Sequence, residues 1–332
     1  MFSIDKISVI GAGSWGTAIA NLLSSSGKTV SLYHYNSDFI DRLKSDEHHP
    51  YLKNIQIHSK INLTSDIDEI TDSNYFFIAV PTKSLRSLFD NLVLSDSSHI
   101  ISLSKGIEKD THLFPSEIIM DCTGRSDNNI CVLSGPTHAE EVSMEIPSAV
   151  VVAGTNVTLN KKVQELLSSP RFRVYSNTDI KGVEISGAIK NVISIASGMC
   201  IGLGFGDNTT AALITRGLNE IIRLGDLFGA EVSTFYGLAG IGDLSVTAFS
   251  KHSRNRQLGQ SIGEGLTLKE VTGKMDMVAE GVHTAKSVHQ LRLKHGVEMP
   301  IHEAIYQVLF ENKDPKRSVV ELMNRRLSEE DY

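Results

Sequence analysis

The chain has 332 residues, 41% hydrophobic and 21% charged, which is the composition of an ordinary globular protein long enough for two domains. A formal charge of −7 excludes a general nucleic-acid or anionic-membrane surface, so an anionic ligand must be held by local cations and backbone N–H groups. Three cysteines (Cys122, Cys131 and Cys200) show no C-x-x-C spacing, which fits a cytoplasmic, reducing setting and excludes a disulfide framework or a zinc site.

In chain order, Lys6 to Gly16 reads KISVIGAGSWG, so the apolar run Ile7, Val9, Ile10 drives directly into Gly11-Ala12-Gly13-Ser14-Trp15-Gly16. With the first strand starting at once, no signal peptide is expected. The G-x-G-x-x-G sits between a predicted strand and a predicted helix over Thr17 to Leu23, and Lys28 to Tyr33 supplies a second strand. In that setting Gly11 turns the chain off the strand and Gly13 lets backbone approach a pyrophosphate. Gly16 lets the helix pack on the strand, and the helix N-terminus offers N–H groups to the phosphates.

A polar segment with a His48-His49-Pro50 turn follows, then a strand at Asn74 to Val80 ending in Pro81 and a helix over about Lys83 to Leu94. His99 to Ser104 forms a strand leading into Lys105-Gly106, and Asn129 to Leu133 one leading into Ser134-Gly135-Pro136-Thr137. Ser148 to Ala153 and Phe172 to Tyr175 complete the sheet, with a helical period at Leu159 to Leu167 between them. Strands alternating with helices imply parallel βαβ units: an α/β, Rossmann-like doubly wound sheet. Ligands of such sheets lie beyond the carboxyl ends of the strands. Gly11 to Gly16, Val80-Pro81, Ser104 to Gly106 and Ser134 to Thr137 are therefore expected to open onto one crevice, with a second domain as its lid or floor.

From about Gly182 strand-like runs give way to helical spacing over 184–200, 209–228, 231–238, 283–295 and 300–310. The expected organisation is a dinucleotide-binding domain over 1–185 and an all-α substrate-binding domain over 186–332. The apolar window Val183 to Phe205 carries Glu184, Lys190 and Asn191, so it reads as a buried central helix and not a membrane span.

Lys190 is the leading candidate for chemistry. On a helix, Gly187, Lys190, Asn191, Ser194 and Ser197 form a small, polar stripe opposite Ile185, Ile189, Val192, Ile193 and Ala196. Partial desolvation moves a lysine down from its ordinary ~10.4 towards the range of a general base. A structural lysine closing an ion pair is the alternative reading. Asp243, after Gly240-Ile241-Gly242, suits a helix N-cap or a carboxylate that orients a catalytic lysine. Arg254 and Arg256 in a Ser253-Arg254-Asn255-Arg256 turn suit a solvated loop or a phosphate site. His48, His49 and His138 lack metal-ligand spacing and read as surface or supporting residues, Cys200 as core; no metal is expected.

With these residues assembled, the chain resembles the bacterial-type NAD(P)-dependent glycerol-3-phosphate dehydrogenase family. The motifs are collinear over nearly the whole length: GAGSWGTAIA, LSKGIE, LSGPTHAEEV, GAIKNVISIASG, ALITRGLNE, LAGIGDL, SRNRQLG, VAEG and GVEMP. The resemblance implies interconversion of sn-glycerol 3-phosphate and dihydroxyacetone phosphate by hydride transfer with NAD or NADP, feeding phospholipid synthesis, in a homodimer. It makes Lys190 the proton acceptor, with Lys105 and Asp243 in the catalytic group. Substrate contacts fall on Lys105, Gly135, Thr137, Lys190, Asp243, Ser253, Arg254 and Asn255. Cofactor contacts fall on the glycine turn with Ser14 and Trp15, on Tyr35, Tyr51, Pro81, Lys105 and Ala139, and on Arg254, Val278 and Glu280.

One departure concerns the second strand end, which reads Tyr33-His34-Tyr35-Asn36-Ser37-Asp38. It carries neither an arginine for a 2′-phosphate nor a strand-end carboxylate for a ribose hydroxyl, so cofactor preference stays open. Rival readings are a β-hydroxyacid or 6-phosphogluconate-type dehydrogenase and a nicotinamide-sensing module without chemistry.

Overall fold

The computed structural model describes residues 5–46, 49–52, 55–275, 279–327 and 329. The chain divides into two compact units, Met1–Lys105 with Leu113–Ile180, and Gly106–His112 with Lys181–Tyr332. The division therefore falls at 180/181, ahead of the expected 185, and the short segment after Lys105 belongs to the second unit.

The first unit is built on an eight-stranded sheet: β1 (Lys6–Ile10), β2 (Thr29–Tyr33), β3 (Asn62–Thr64), β4 (Tyr75–Ile78), β5 (His99–Ser102), β6 (Ile130–Ser134), β7 (Ser148–Ala153) and β8 (Phe172–Asn177). Their order is β3-β2-β1-β4-β5-β6-β7-β8. All neighbours are parallel except β6 and β7. The order reverses beside β1, at the switch point where doubly wound sheets bind dinucleotides. The central strands β1, β4, β5 and β6 are apolar and buried on both faces, as a parallel sheet requires. Alternation divides them between two cores: Ile7, Val9, Phe77 and Ile101 face one layer, and Ile10, Phe76, Ile78 and Ile100 the other.

Helices α1 (Ser14–Ser25), α2 (Ser37–Ser45), α3 (Leu85–Phe89), α4 (Pro115–Thr123), α5 (Ala139–Ser143) and α6 (Val157–Leu167) supply those layers. Ala18, Ile19 and Leu23 of α1 pack in the first core, and Leu85, Phe89, Ile118 and Ile119 of α3 and α4 in the second. Three features differ from the sequence reading. β3 is an unpredicted edge strand of three residues, too short for an alternation to register. The helix expected over Lys83 to Leu94 contracts to α3 behind a 3₁₀ turn at Thr82–Ser84. β7 runs antiparallel to β6, because the chain returns from Ser134 through the one-turn α5 with no full crossover helix.

The second unit is helical: α7 (Ile180–Gly202), α8 (Asp207–Asp226), α9 (Val232–Phe235), α10 (Asp243–Phe249), α11 (Arg254–Gly263), α12 (Leu268–Thr272), α13 (Glu280–His295), α14 (Pro300–Phe310) and α15 (Pro315–Met323). α7 is buried on every face from Gly182 to Cys200, so even its polar stripe lies inside protein. It is long and apolar enough to cross a membrane by composition alone, yet 89% of its apolar window is buried within the fold. Val192, Ile195 and Met199 of α7 form one core with Leu258 and Ile262 of α11, Val282 of α13 and Ile305 of α14.

Glycines set how closely α7 and α11 approach. A β-carbon on Gly259 would lie 1.9 Å from the Ile195 carbonyl oxygen, and one on Gly198 2.0 Å from that of Arg256. Helix α14 begins on a buried carboxylate: Glu220 of α8 accepts hydrogen bonds from Ile301 N, His302 N and His302 Nδ1 at 2.8, 3.1 and 2.7 Å. Cys200 is a core residue as expected, its thiol pushed up to about 11 by burial.

Candidate active site

In the first unit the glycine turn joins β1 to α1. Gly13 is the N-cap of α1, and the helix carries no side-chain cap and no acidic residue in its first turn. The N-terminal N–H groups and the positive dipole end are therefore available to an anion. A β-carbon on Gly13 would meet nothing within 4 Å, whereas one on Gly16 would lie 1.9 Å from the Gly11 carbonyl oxygen. One glycine keeps a space open and the other keeps helix against strand. An open, uncapped helix start without a carboxylate fits a pyrophosphate.

The turn is supported from beneath by a residue whose role the sequence does not announce. His49 is only 2% exposed. Its Nδ1 accepts from the Tyr51 N–H at 3.2 Å, so its proton sits on Nε2, which donates to the Ala12 carbonyl at 3.0 Å. Burial lowers its pKa, opposed by the Ala12 hydrogen bond. Of the two readings given for it, His49 is the supporting residue and not a surface one; His48 lies outside the described residues. Around it the rings of His34, Tyr35, Phe39 and Tyr51 form a chain of contacts with centroids 4.5 to 6.1 Å apart. Tyr35 and Tyr51 remain exposed, at 80% and 57%.

The other strand-end residues follow along the same sheet edge. The Ser104 hydroxyl donates to the Val80 carbonyl at 2.5 Å, and that of Thr82 to the Lys105 carbonyl at 3.0 Å, fixing the loops after β4 and β5 to one another. Pro81 is exposed and Lys105 half-buried. After β6, Gly135 passes so close to β7 that a β-carbon would lie 2.9 Å from Val150 Cα. The Thr137 hydroxyl donates to the Gly135 carbonyl at 3.2 Å, and Ala139 opens α5. The four strand ends thus share the edge that the parallel order dictates.

In the second unit Lys190 is buried with its side chain 9% exposed. Its ammonium donates to Asp243 Oδ1 at 2.5 Å and to Thr247 Oγ1 at 2.7 Å. The Thr247 hydroxyl in turn donates to the Asp243 carbonyl at 2.6 Å. Asp243 is the first residue of α10, with Gly242 in the N-cap position, so its carboxylate also sits at a positive helix end. The expectation for Lys190 rested on desolvation; the Asp243 carboxylate adds a counter-charge that holds the ammonium in place.

The neighbouring Asn191 accepts from Asn255 Nδ2 at 3.0 Å, and Asn255 Oδ1 accepts from Gly281 N at 3.0 Å. One asparagine thus ties the starts of α11 and α13 to α7. Of the two readings of the Ser253-Arg254-Asn255-Arg256 turn, a solvated loop or a phosphate site, the loop does not hold, since these residues open α11. Ser253 is the N-cap of α11, its hydroxyl accepting from Arg256 N at 3.3 Å, and Arg254 is exposed in the first turn. Glu280 is exposed at the start of α13; Val278 lies outside the described residues. Thr247 is a contact the sequence reading missed, and Asn191 stood in the polar stripe without its partner Asn255. The spacing of Thr247 from Asp243, one helical turn, is the signal that would have found it.

The chain matches family models described as the NAD-dependent glycerol-3-phosphate dehydrogenase N-terminus over residues 6–160 and C-terminus over residues 179–320. It is 45% identical over 332 residues to glycerol-3-phosphate dehydrogenase [NAD(P)+] 2 of Salinibacter ruber, covering 98% of this chain and 96% of that protein. It is 43% identical to glycerol-3-phosphate dehydrogenase [NAD(P)+] of Clostridium botulinum, with 98% and 99% covered. A crystal structure of glycerol-3-phosphate dehydrogenase from Coxiella burnetii superposes with a TM-score of 0.92 at 36% identity, over 97% of this chain and 99% of that one.

Proposed function

The chain belongs to the NAD-dependent glycerol-3-phosphate dehydrogenase family, and we propose that it interconverts sn-glycerol 3-phosphate and dihydroxyacetone phosphate with NAD or NADP. The observation that carries the reading is the buried Lys190 ammonium, held at 2.5 Å by Asp243 and 2.7 Å by Thr247. A ketone reduction needs a proton delivered to one oxygen atom, and a buried lysine ammonium fixed by a carboxylate and a hydroxyl suits that task. Bound NADH or NADPH supplies the hydride that adds to substrate C2, and NAD or NADP accepts it in the reverse direction. In reduction Lys190 gives its proton to the oxygen on C2, which becomes the secondary hydroxyl. In oxidation the neutral amine takes that proton back.

Asp243 serves as counter-ion and orienting group, and Lys105 as a second cation for the charge that develops on the oxygen. Arg254, with Ser253, Asn255 and the start of α11, suits the substrate phosphate, since a guanidinium meets phosphate oxygens bidentately. Gly135 and Thr137 complete the substrate contacts. The dinucleotide pyrophosphate belongs on the turn of Gly11, Gly13, Ser14, Trp15 and Gly16, supported by the open space over Gly13 and the uncapped start of α1. Tyr35 and Tyr51 offer exposed ring faces to the adenosine half. Pro81, Ala139, Arg254, Val278 and Glu280 are the further cofactor contacts in this reading.

A cytoplasmic homodimer that supplies glycerol 3-phosphate to phospholipid synthesis is the corresponding cellular role. Steady-state reduction of dihydroxyacetone phosphate with NADH and NADPH in parallel, beside oxidation of a panel of 3-hydroxy acids, tests the reading. Turnover of the phosphotriose is the expected result; turnover confined to the hydroxy acids would overturn the substrate assignment.

A further inference from the structure

The glycine turn between β1 and α1 is held at three backbone points. Gly11 N donates to the Tyr33 carbonyl at 2.9 Å, and Thr17 N donates to the Gly13 carbonyl at 3.0 Å. The third point is the Ala12 carbonyl, which accepts from His49 Nε2 at 3.0 Å. Ala12 and His49 are both buried, and a buried carbonyl requires a donor. A trans peptide plane carries its C=O and N–H in opposite directions, and the described residues contain no cis peptide. With the Ala12 carbonyl drawn to the ring, the Gly13 N–H in the same plane points away from it. Gly13 is the N-cap of α1, and the place of its missing β-carbon is open. A rotated plane would present a carbonyl where an anion needs an N–H. The segment that carries His49 is itself fixed along α1. Asn21 donates to the Gln56 carbonyl and accepts from His58 N, both at 2.9 Å, and the Ser24 hydroxyl meets His58 Nδ1 at 2.7 Å. Tyr51 N donates to His49 Nδ1 at 3.2 Å, and the two rings lie 5.6 Å apart. The Ala12 oxygen only accepts and Tyr51 N only donates, so a neutral ring protonated on Nε2 satisfies both.

We propose that His49 is a positioning residue for the dinucleotide: its imidazole, locked in one tautomer by Tyr51 N–H, holds the Ala12–Gly13 peptide with its N–H turned to the pyrophosphate. The inference rests on the dinucleotide reading of the glycine turn and goes beyond it by naming the side chain that fixes the donor geometry. His49 acts through the turn and touches none of the reacting atoms. Its loss therefore falls on dinucleotide affinity, while the Lys190 step proceeds once the dinucleotide is bound.

Two conservative substitutions separate the two bonds of the ring. The side-chain amide of glutamine reaches the place of Nε2 and still donates to Ala12; that of asparagine reaches only the place of Nδ1 and still accepts from Tyr51 N. Trp15, the only tryptophan in the chain, lies in the glycine turn and gives a binding signal independent of catalysis. Wild type, His49→Gln, His49→Asn and His49→Ala are titrated with NADH and NADPH through Trp15 fluorescence, with circular dichroism to establish folding. His49→Asn and His49→Ala are expected to weaken dinucleotide binding by about tenfold and to raise the dinucleotide KM in step, with kcat at saturation within about threefold of wild type. His49→Gln is expected to bind within about threefold of wild type. Equal affinities in the Gln and Asn variants, the reverse order, or wild-type affinity in His49→Ala overturns the role of His49 while leaving the dehydrogenase reading intact. Should His49→Ala fail to fold, the Gln and Asn variants decide alone. Failure of the wild-type protein to bind either dinucleotide overturns that reading itself, and the inference with it.

Discussion

In the first unit the candidate site is made of backbone N–H groups and missing side chains: the space over Gly13, the uncapped start of α1, the tight contact at Gly16. In the second it is made of side chains distant in sequence, such as Lys190 and Asp243, which helix packing brings to 2.5 Å. The first kind of site suits the pyrophosphate of any dinucleotide. The second holds a titratable group inside a buried network. In the proposed reading the glycine turn takes the pyrophosphate and Lys190 the proton, so substitutions at the one should leave the other's readout largely unmoved.

The largest expected effect is on turnover. Lys190→Ala should lower kcat for dihydroxyacetone phosphate reduction by about a hundredfold to ten-thousandfold, the range for losing a positioned acid–base group. A variant with near-normal kcat would assign the proton to another residue. Next comes Asp243→Asn, which removes a counter-charge at 2.5 Å from the buried ammonium. Removing one partner of a buried pair costs about 3–5 kcal/mol, so urea denaturation should show the second unit strongly destabilised. A change within experimental error would mean that the Asp243 carboxylate does not stabilise the buried Lys190 ammonium.

The glycines sharpen the contrast from both sides. Gly16→Ala and Gly259→Ala each place a β-carbon 1.9 Å from a backbone oxygen, of Gly11 and of Ile195 respectively. Each should destabilise by about 1–3 kcal/mol through overpacking. Gly16→Ala should weaken dinucleotide binding, whereas Gly259→Ala should depress kcat with affinity for the dinucleotide retained. Identical profiles from the two variants would break the division between the units.

The smallest effect is that of pH. In the first unit His34, His49 and His99 all have pKa values lowered by burial, His99 also by the Arg125 charge. The unfolded chain then binds protons at higher pH than the folded one, so stability is complete above the ordinary value of 6.5 and declines as pH falls through it towards the depressed native values. Thermal melts between pH 8 and about pH 5 should show this decline in wild type and a shallower one in His49→Gln, the most buried of the three. Equal slopes would remove His49 as a source.

The parts of the fold that were legible in the sequence are those built by local rules. A β-branched run ending in G-x-G-x-x-G announces strand, turn and helix, and Lys190 stands out as a charge inside an apolar helical window. β3 was not legible because three edge residues carry no period. α10 and α11 were not, because short polar starts such as Ser253-Arg254-Asn255 have turn composition, and only the cap at Ser253 makes them helical. The partnership of Lys190 with Asp243 was open among alternatives, since nothing local links residues 53 positions apart. The glycines that draw α11 onto α7 carry that information, and they speak only once both helices are known. His49 gave no signal at all: a His-Pro turn in a polar segment does not reveal a ring buried under the glycine turn.

The most direct test of this division is a titration of the Lys190→Ala protein with NADH, followed through Trp15 fluorescence. A dissociation constant within about threefold of wild type, in a protein that has lost turnover, is the predicted result. Loss of dinucleotide affinity in parallel with turnover would contradict it, and would make Lys190 part of the nucleotide site.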